Sequence, residues 1–130
     1  MPTYNSTNQF TGLDFRFWQV TAAPVDKDTK YENLFGTSGK LYAVYALNNT
    51  GSNTAVAIKF YDGGTATNGT DHPSLTFGIA QNAKEVFLFP EGITFSNGLS
   101  MCLSKFSDGH GTTAGSDLSA TLEKVVLIFK

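Results

Sequence analysis

Apolar and polar positions alternate with a period of two along almost the whole chain, the spacing that puts successive side chains on opposite faces of a strand. Leu13, Phe15 and Phe17 alternate with Asp14 and Arg16, and Trp18 and Val20 continue the run after a change of phase, so a bulge is expected near Phe17. From Lys40 to Asn48, Leu41, Ala43 and Tyr45 oppose Tyr42 and Val44, as in a strand covered on both faces. Val56, Ile58 and Phe60 then alternate with Ala57, Lys59 and Tyr61, and the turn residues Asn49 to Ser52 between these runs predict a hairpin. Leu75, Phe77 and Ile79 alternate again before Gln81-Asn82-Ala83 turns the chain into Glu85 to Phe89, where Val86 and Leu88 oppose Phe87 and Phe89. Pro90 lacks a backbone donor and is expected to end that strand. Ile93 and Phe95 form a short segment, Leu99, Met101 and Leu103 begin another strand, and the β-branched run Leu122 to Phe129 predicts a central C-terminal strand.

Between these runs, Asp62 to Pro73 and Ser107 to Asp117 are long Gly-rich segments expected to be exposed loops, and Asp26 to Glu32 also reads as loop. About eight strands without a credible helix predict an all-β, single-domain antiparallel β-sandwich of jelly-roll type. An immunoglobulin-like sandwich stays open, although its Cys-Trp-Cys arrangement is absent. Residues 1–12 read as a polar N-terminal arm without an obvious partner strand, and residues 13–130 as the sandwich. Val44, Ile58, Phe60, Phe77, Leu88 and Val126 are the expected core.

Composition sharpens this picture. The 130 residues include 16 Thr, 10 Ser, 9 Asn and 13 Gly, which suit turns and solvated strand faces better than helices. Nine Lys and Arg against 11 Asp and Glu give a net charge of -2 without a basic block, so no nucleic-acid partner is expected. Cys102 is the only cysteine, which excludes an intrachain disulfide and a Cys-rich zinc site. The longest apolar run, Val125 to Phe129, is too short for a membrane-spanning helix, and the polar N-terminus gives no support for a signal peptide. No membrane partner is expected.

Catalytic signatures are missing: the chain has no Gly-x-Ser-x-Gly elbow, His-Glu-x-x-His helix or phosphate-binding Gly loop. His72 with Asp71 and His110 with Asp108 stand in the two long loops and would supply imidazole and carboxylate metal ligands if those loops met, but Asp and His are ordinary loop residues. Asp14, Glu85 and Glu91 read as solubilising acids rather than a glycosidase pair. Cys102, between Met101 and Leu103, reads as a packing residue rather than a nucleophile. The chain is therefore expected to be no enzyme and to need no cofactor. Phe15, Phe17, Phe60, Phe77 and Phe95 occupy core-like alternating positions, leaving Tyr4, Tyr31, Tyr61 and Trp18 for a surface or interface. Tyr4 and Phe10 in the arm, with Trp18 and Tyr31, are the candidate partner-binding residues.

Three stretches carry a resemblance: Gly39 to Asn49 (GKLYAVYALNN), Val56 to Asp62 (VAIKFYD) and Phe87 to Leu99 (FLFPEGITFSNGL). Together they resemble a group of small tailed-phage virion proteins, in which a Leu-Tyr-x-Val-Tyr-like strand precedes a Lys-x-Tyr strand and a Phe-Pro-x-Gly-Ile-x-Phe-Ser-x-Gly-Leu segment. The likeness covers roughly residues 39–130 and leaves the first 38 uncovered. It implies a jelly-roll structural subunit of a phage particle, either a capsid decoration (cement) protein or a tail or fibre component with a receptor- or carbohydrate-binding role. The implied partners are the major capsid protein or other virion proteins, the implied self-association is a homo-oligomer, with a trimer favoured, and the implied location is the virion, assembled in the host cytoplasm.

Overall fold

The computed structural model describes residues 3–5, 15–26, 28–36, 38–48, 55–109, 111–116 and 121–130. Among them the chain forms strands β1 (Thr3–Asn5), β2 (Arg16–Pro24), β3 (Lys30–Tyr31), β4 (Gly39–Asn48), β5 (Val56–Asp62), β6 (Leu75–Ile79), β7 (Ala83–Phe95) and β8 (Leu99–Lys105). A single helical turn, α1 (Phe106–Gly109), and strand β9 (Thr121–Phe129) complete them. The strands build two antiparallel sheets, ordered β1-β2-β9-β4-β7 and β3-β8-β5-β6, which face each other as a β-sandwich. The C-terminal strand β9 lies inside its sheet between β2 and β4, as its β-branched run led us to expect.

Several local expectations are corrected by the tertiary structure. β4 and β5 do not form a hairpin, because β4 belongs to the five-stranded sheet and β5 to the four-stranded one. Turn-prone residues between two strands specify a change of direction but not which sheet the second strand joins. Lys30–Tyr31, read as loop, pairs with Met101 and Cys102. Within the expected arm, Thr3–Asn5 pair with Arg16–Trp18, a partner that the polar sequence does not announce. The register of β2 against β9 runs unbroken past Phe17, and the irregularity falls instead at Ala22, whose φ is 51°.

Pro90 does not end its strand. β7 runs on to Phe95, but its pairing with β4 jumps from Ala43↔Leu88 to Leu41↔Ile93, so Phe89 to Gly92 arch away from the ladder opposite Tyr42 alone. The missing proline donor is tolerable there because β7 is an edge strand. Gly92 closes the arch at φ 75°, where a Cβ would also lie 3.0 Å from the Tyr42 ring.

The core lies between the sheets and includes Trp18, Leu41, Val44, Ile58, Phe60, Phe95, Leu127 and Phe129. Phe60 meets Phe77 edge-on at 5.9 Å, and Phe77 stacks on Phe87 at 4.3 Å, so an aromatic chain links the two sheets. Val44, Ile58 and Phe60 are buried as expected, Phe77 and Val126 are half-buried, and Leu88 is 69% exposed, which overturns its assignment to the core. Stacking on Phe77 draws Phe87 and Phe89 inward, so the alternate residues of β7, Val86 and Leu88, turn to the outside.

Candidate functional site

Directly opposed residues in a ladder share a face, so the register maps the outer surface of the five-stranded sheet. One row across it is Phe17, Ile128, Ala43 and Leu88, and the next is Gln19, Val126, Tyr45 and Val86. Phe15 and Tyr42 extend the apolar band, meeting edge-on at 5.3 Å. Most of these side chains are half-buried by their neighbours, but Val86 at 53% and Leu88 at 69% stand out into solvent. Beside Leu88, the arch of β7 leaves a shallow groove of about 450 Å³ lined by Leu88 to Gly92, with Glu91 as its carboxylate.

Lysines border the band at both ends. Lys84 and Lys124 flank Leu47 in the row beyond Val86, while Lys40 and Lys130 exchange backbone hydrogen bonds at 3.0 Å beyond Tyr42. The Lys130 ammonium lies 5.8 Å from the centre of the Phe15 ring. The face is thus an apolar strip with lysines at both ends and the Glu91 carboxylate at its β7 edge, on a chain whose net charge is -2.

The candidate partner-binding residues fall differently. Trp18 is 3% exposed and belongs to the core, which corrects its assignment to a surface: in β2 it points between the sheets. Tyr31, in β3 of the opposite sheet, packs on it edge-on at 5.4 Å, so the two rings join the sheets, and Tyr31 itself stays half-buried. Tyr61 is likewise buried rather than exposed. Tyr4 pairs by backbone register with Phe17, and Phe10 lies outside the described residues. Val86 and Leu88 were missed because both phases of Val86 to Phe89 are apolar, which leaves a period-two pattern without a direction.

The two long loops do meet, over the outer face of the four-stranded sheet. The Asn68 amide donates to the Ala114 carbonyl at 3.0 Å, and His72 Nδ1 lies 3.0 Å from the Thr112 hydroxyl. Beneath them Lys59 is fully buried, its ammonium donating to Asn68 Oδ1 at 2.9 Å and to the Thr113 carbonyl at 2.6 Å. No three His, Cys, Asp or Glu side chains among the described residues gather closely enough to hold a metal ion; His110, one of the residues weighed as a ligand, lies outside them. Tyr61, Asp62, Thr65, Asp71, His72 and Ser74 line an open polar cleft of about 370 Å³ beside this junction.

The ionisable groups under the loops bear the mark of burial. Desolvation pushes the Cys102 thiol from near 9 up to about 11, outweighing nearby Lys59, and raises Tyr61 above its usual range, with Cys102 and Asp71 adding to the effect. Burial also raises Tyr31 and lowers Lys59. An acid with a raised folded pKa contributes stability that is complete below its unfolded pKa and lost as pH rises through the folded value, whereas the lowered Lys59 acts in the opposite direction. With three acids against one base, thermal stability is expected to fall between pH 9 and 11. Thermal melts across that window check this, and Cys102→Ala should flatten the decline.

No family model, no curated protein and no solved structure matches this chain.

Proposed function

We propose that this chain is a non-enzymatic structural protein of a tailed-phage particle, a capsid decoration protein of jelly-roll type. The observation that carries the reading is the strand order. Setting β1 aside, the sheets run 2-9-4-7 and 3-8-5-6, and the connections from β2 to β5 and from β6 to β9 each cross from one sheet to the other. Two four-stranded sheets wound in this way fit a jelly roll, an architecture used by viral capsid and lectin domains. Fold alone does not assign function. The phage reading rests also on the likeness of residues 39–130 to small virion proteins, and an exposed apolar sheet face is compatible with packing against them.

A decoration protein acts by mass action: it binds the assembled shell across subunit boundaries and stabilises that state over expanded or ruptured ones. The chain self-associates in this reading, as a trimer set around the shell's threefold axes, which light scattering of the purified protein checks. The primary test is mass spectrometry of purified particles. Many copies per particle are expected, and particles lacking the chain while it stays free in the lysate would refute the proposal.

The polar cleft at the loop junction favours a second reading, a tail or fibre component that presents Asp62, Asp71, His72 and Ser74 to host saccharide. Electron microscopy of particles carrying a labelled chain separates the two, by density on the shell or on the tail.

A further inference from the structure

We propose that the outer face of the five-stranded sheet is the docking surface of this protein, and that its occupant is a different protein whose apolar strip is bordered by carboxylates. The inference rests on the virion reading for the identity of that protein, a shell subunit, and on the sheet itself for the chemistry. Val86 and Leu88 are the two most exposed large aliphatic side chains among the described residues, and they stand side by side on β7. Behind them, Tyr45 with Val126 and Ala43 with Ile128 continue the band inward to Phe17. Exposed aliphatic groups backed by a continuous apolar surface, with charge confined to the margins, have the layout of an interface core and its rim.

The charge distribution selects the partner. Four of the nine cationic side chains of the chain, Lys40, Lys84, Lys124 and Lys130, occupy the two ends of the band. A second copy laid face to face would bring the lysines of the two copies together at the Lys84 and Lys124 end in a parallel arrangement and set lysines of opposite ends together in an antiparallel one, with the Glu91 carboxylate beside the Lys40 end as a partial counterweight. A surface with carboxylates at matching positions meets both ends favourably, and like-charge juxtaposition rejects other partners. The groove at Leu88 to Gly92 lies at the edge of the same band, where a side chain of the partner can enter.

The test uses particles assembled without this chain, mixed with the purified protein and sedimented. Wild-type protein is expected to bind saturably and more weakly as salt rises, since exposed charge pairs are screened. The double variant Val86→Asp/Leu88→Asp should bind about tenfold or more weakly with an unchanged thermal midpoint, since both side chains already face solvent. Lys84→Glu/Lys124→Glu should also weaken binding and remove much of the salt dependence.

Wild-type protein that fails to bind these particles would overturn the virion reading together with the proposal. Wild-type binding that survives both double variants would overturn the docking face alone. Sedimentation velocity showing a dimer that the Val86/Leu88 variant dissociates would assign the face to a second copy and overturn the proposed partner. Binding to vesicles of anionic phosphatidylglycerol that the same variant abolishes would assign it to lipid, with the same consequence.

Discussion

Phe60→Ala is expected to lower the free energy of unfolding by about 3–5 kcal/mol, the loss typical when a buried phenylalanine is cut to alanine. The ring has no exposed surface and lies on β5 between Leu75 of β6 and Met101 of β8. It also supports Phe77, which stacks on both Phe87 and Phe89 of the facing sheet. The vacated space therefore opens at the contact between sheets, where closing it would require strands of two sheets to move together. That resistance to collapse places the cost toward the upper part of the range. Urea unfolding of the variant measures the effect, and an unchanged midpoint would contradict the inward orientation of Phe60.

Replacing Lys59 with Met is expected to have the next largest effect. The methionine keeps an unbranched apolar stem but removes the ammonium that bonds Asn68 Oδ1 and the Thr113 carbonyl. Asn68 Oδ1 and the Thr113 carbonyl are only part-buried, so losing their donor costs less than the loss of about 1–3 kcal/mol typical of a fully buried acceptor, and part of that is recovered by no longer holding a charge out of water. The variant also reads out local structure, since Lys59 connects the 63–74 loop with residues 111–116. Loosened loops should be cut faster by a nonspecific protease under native conditions, because backbone that opens locally becomes a cleavage site. Cleavage at the wild-type rate, with unchanged stability, would show that Lys59 does not hold the two loops together.

Only part of the candidate site was legible in the sequence. The aromatics chosen for a surface, Trp18 and Tyr61, are large residues with a polar atom, a type that serves equally well inside a fold. Trp18 is covered by Tyr31 and the facing sheet, and Tyr61 packs on Cys102 of β8 and on Ala66 of the loop that follows β5. The lysines at the ends of the docking face are spread over β4, β7 and β9 and the C-terminal residue, and only strand register aligns them.

The alternation of apolar side chains by itself determined that the chain is all-β, placed a strand at each main apolar run, and marked the C-terminal run as interior to a sheet. These are local properties: a period of two permits little besides a strand, and a run rich in β-branched and large apolar residues suits a position flanked on both sides. Tertiary structure decided which sheet each strand joins, which phase of Val86 to Phe89 faces inward, and that Lys59 is buried beneath two loops. Those outcomes depend on contacts between residues far apart in the chain. Where both faces of a strand are apolar, or where a loop folds back over a sheet, the local pattern fits either arrangement, and long-range packing selects one.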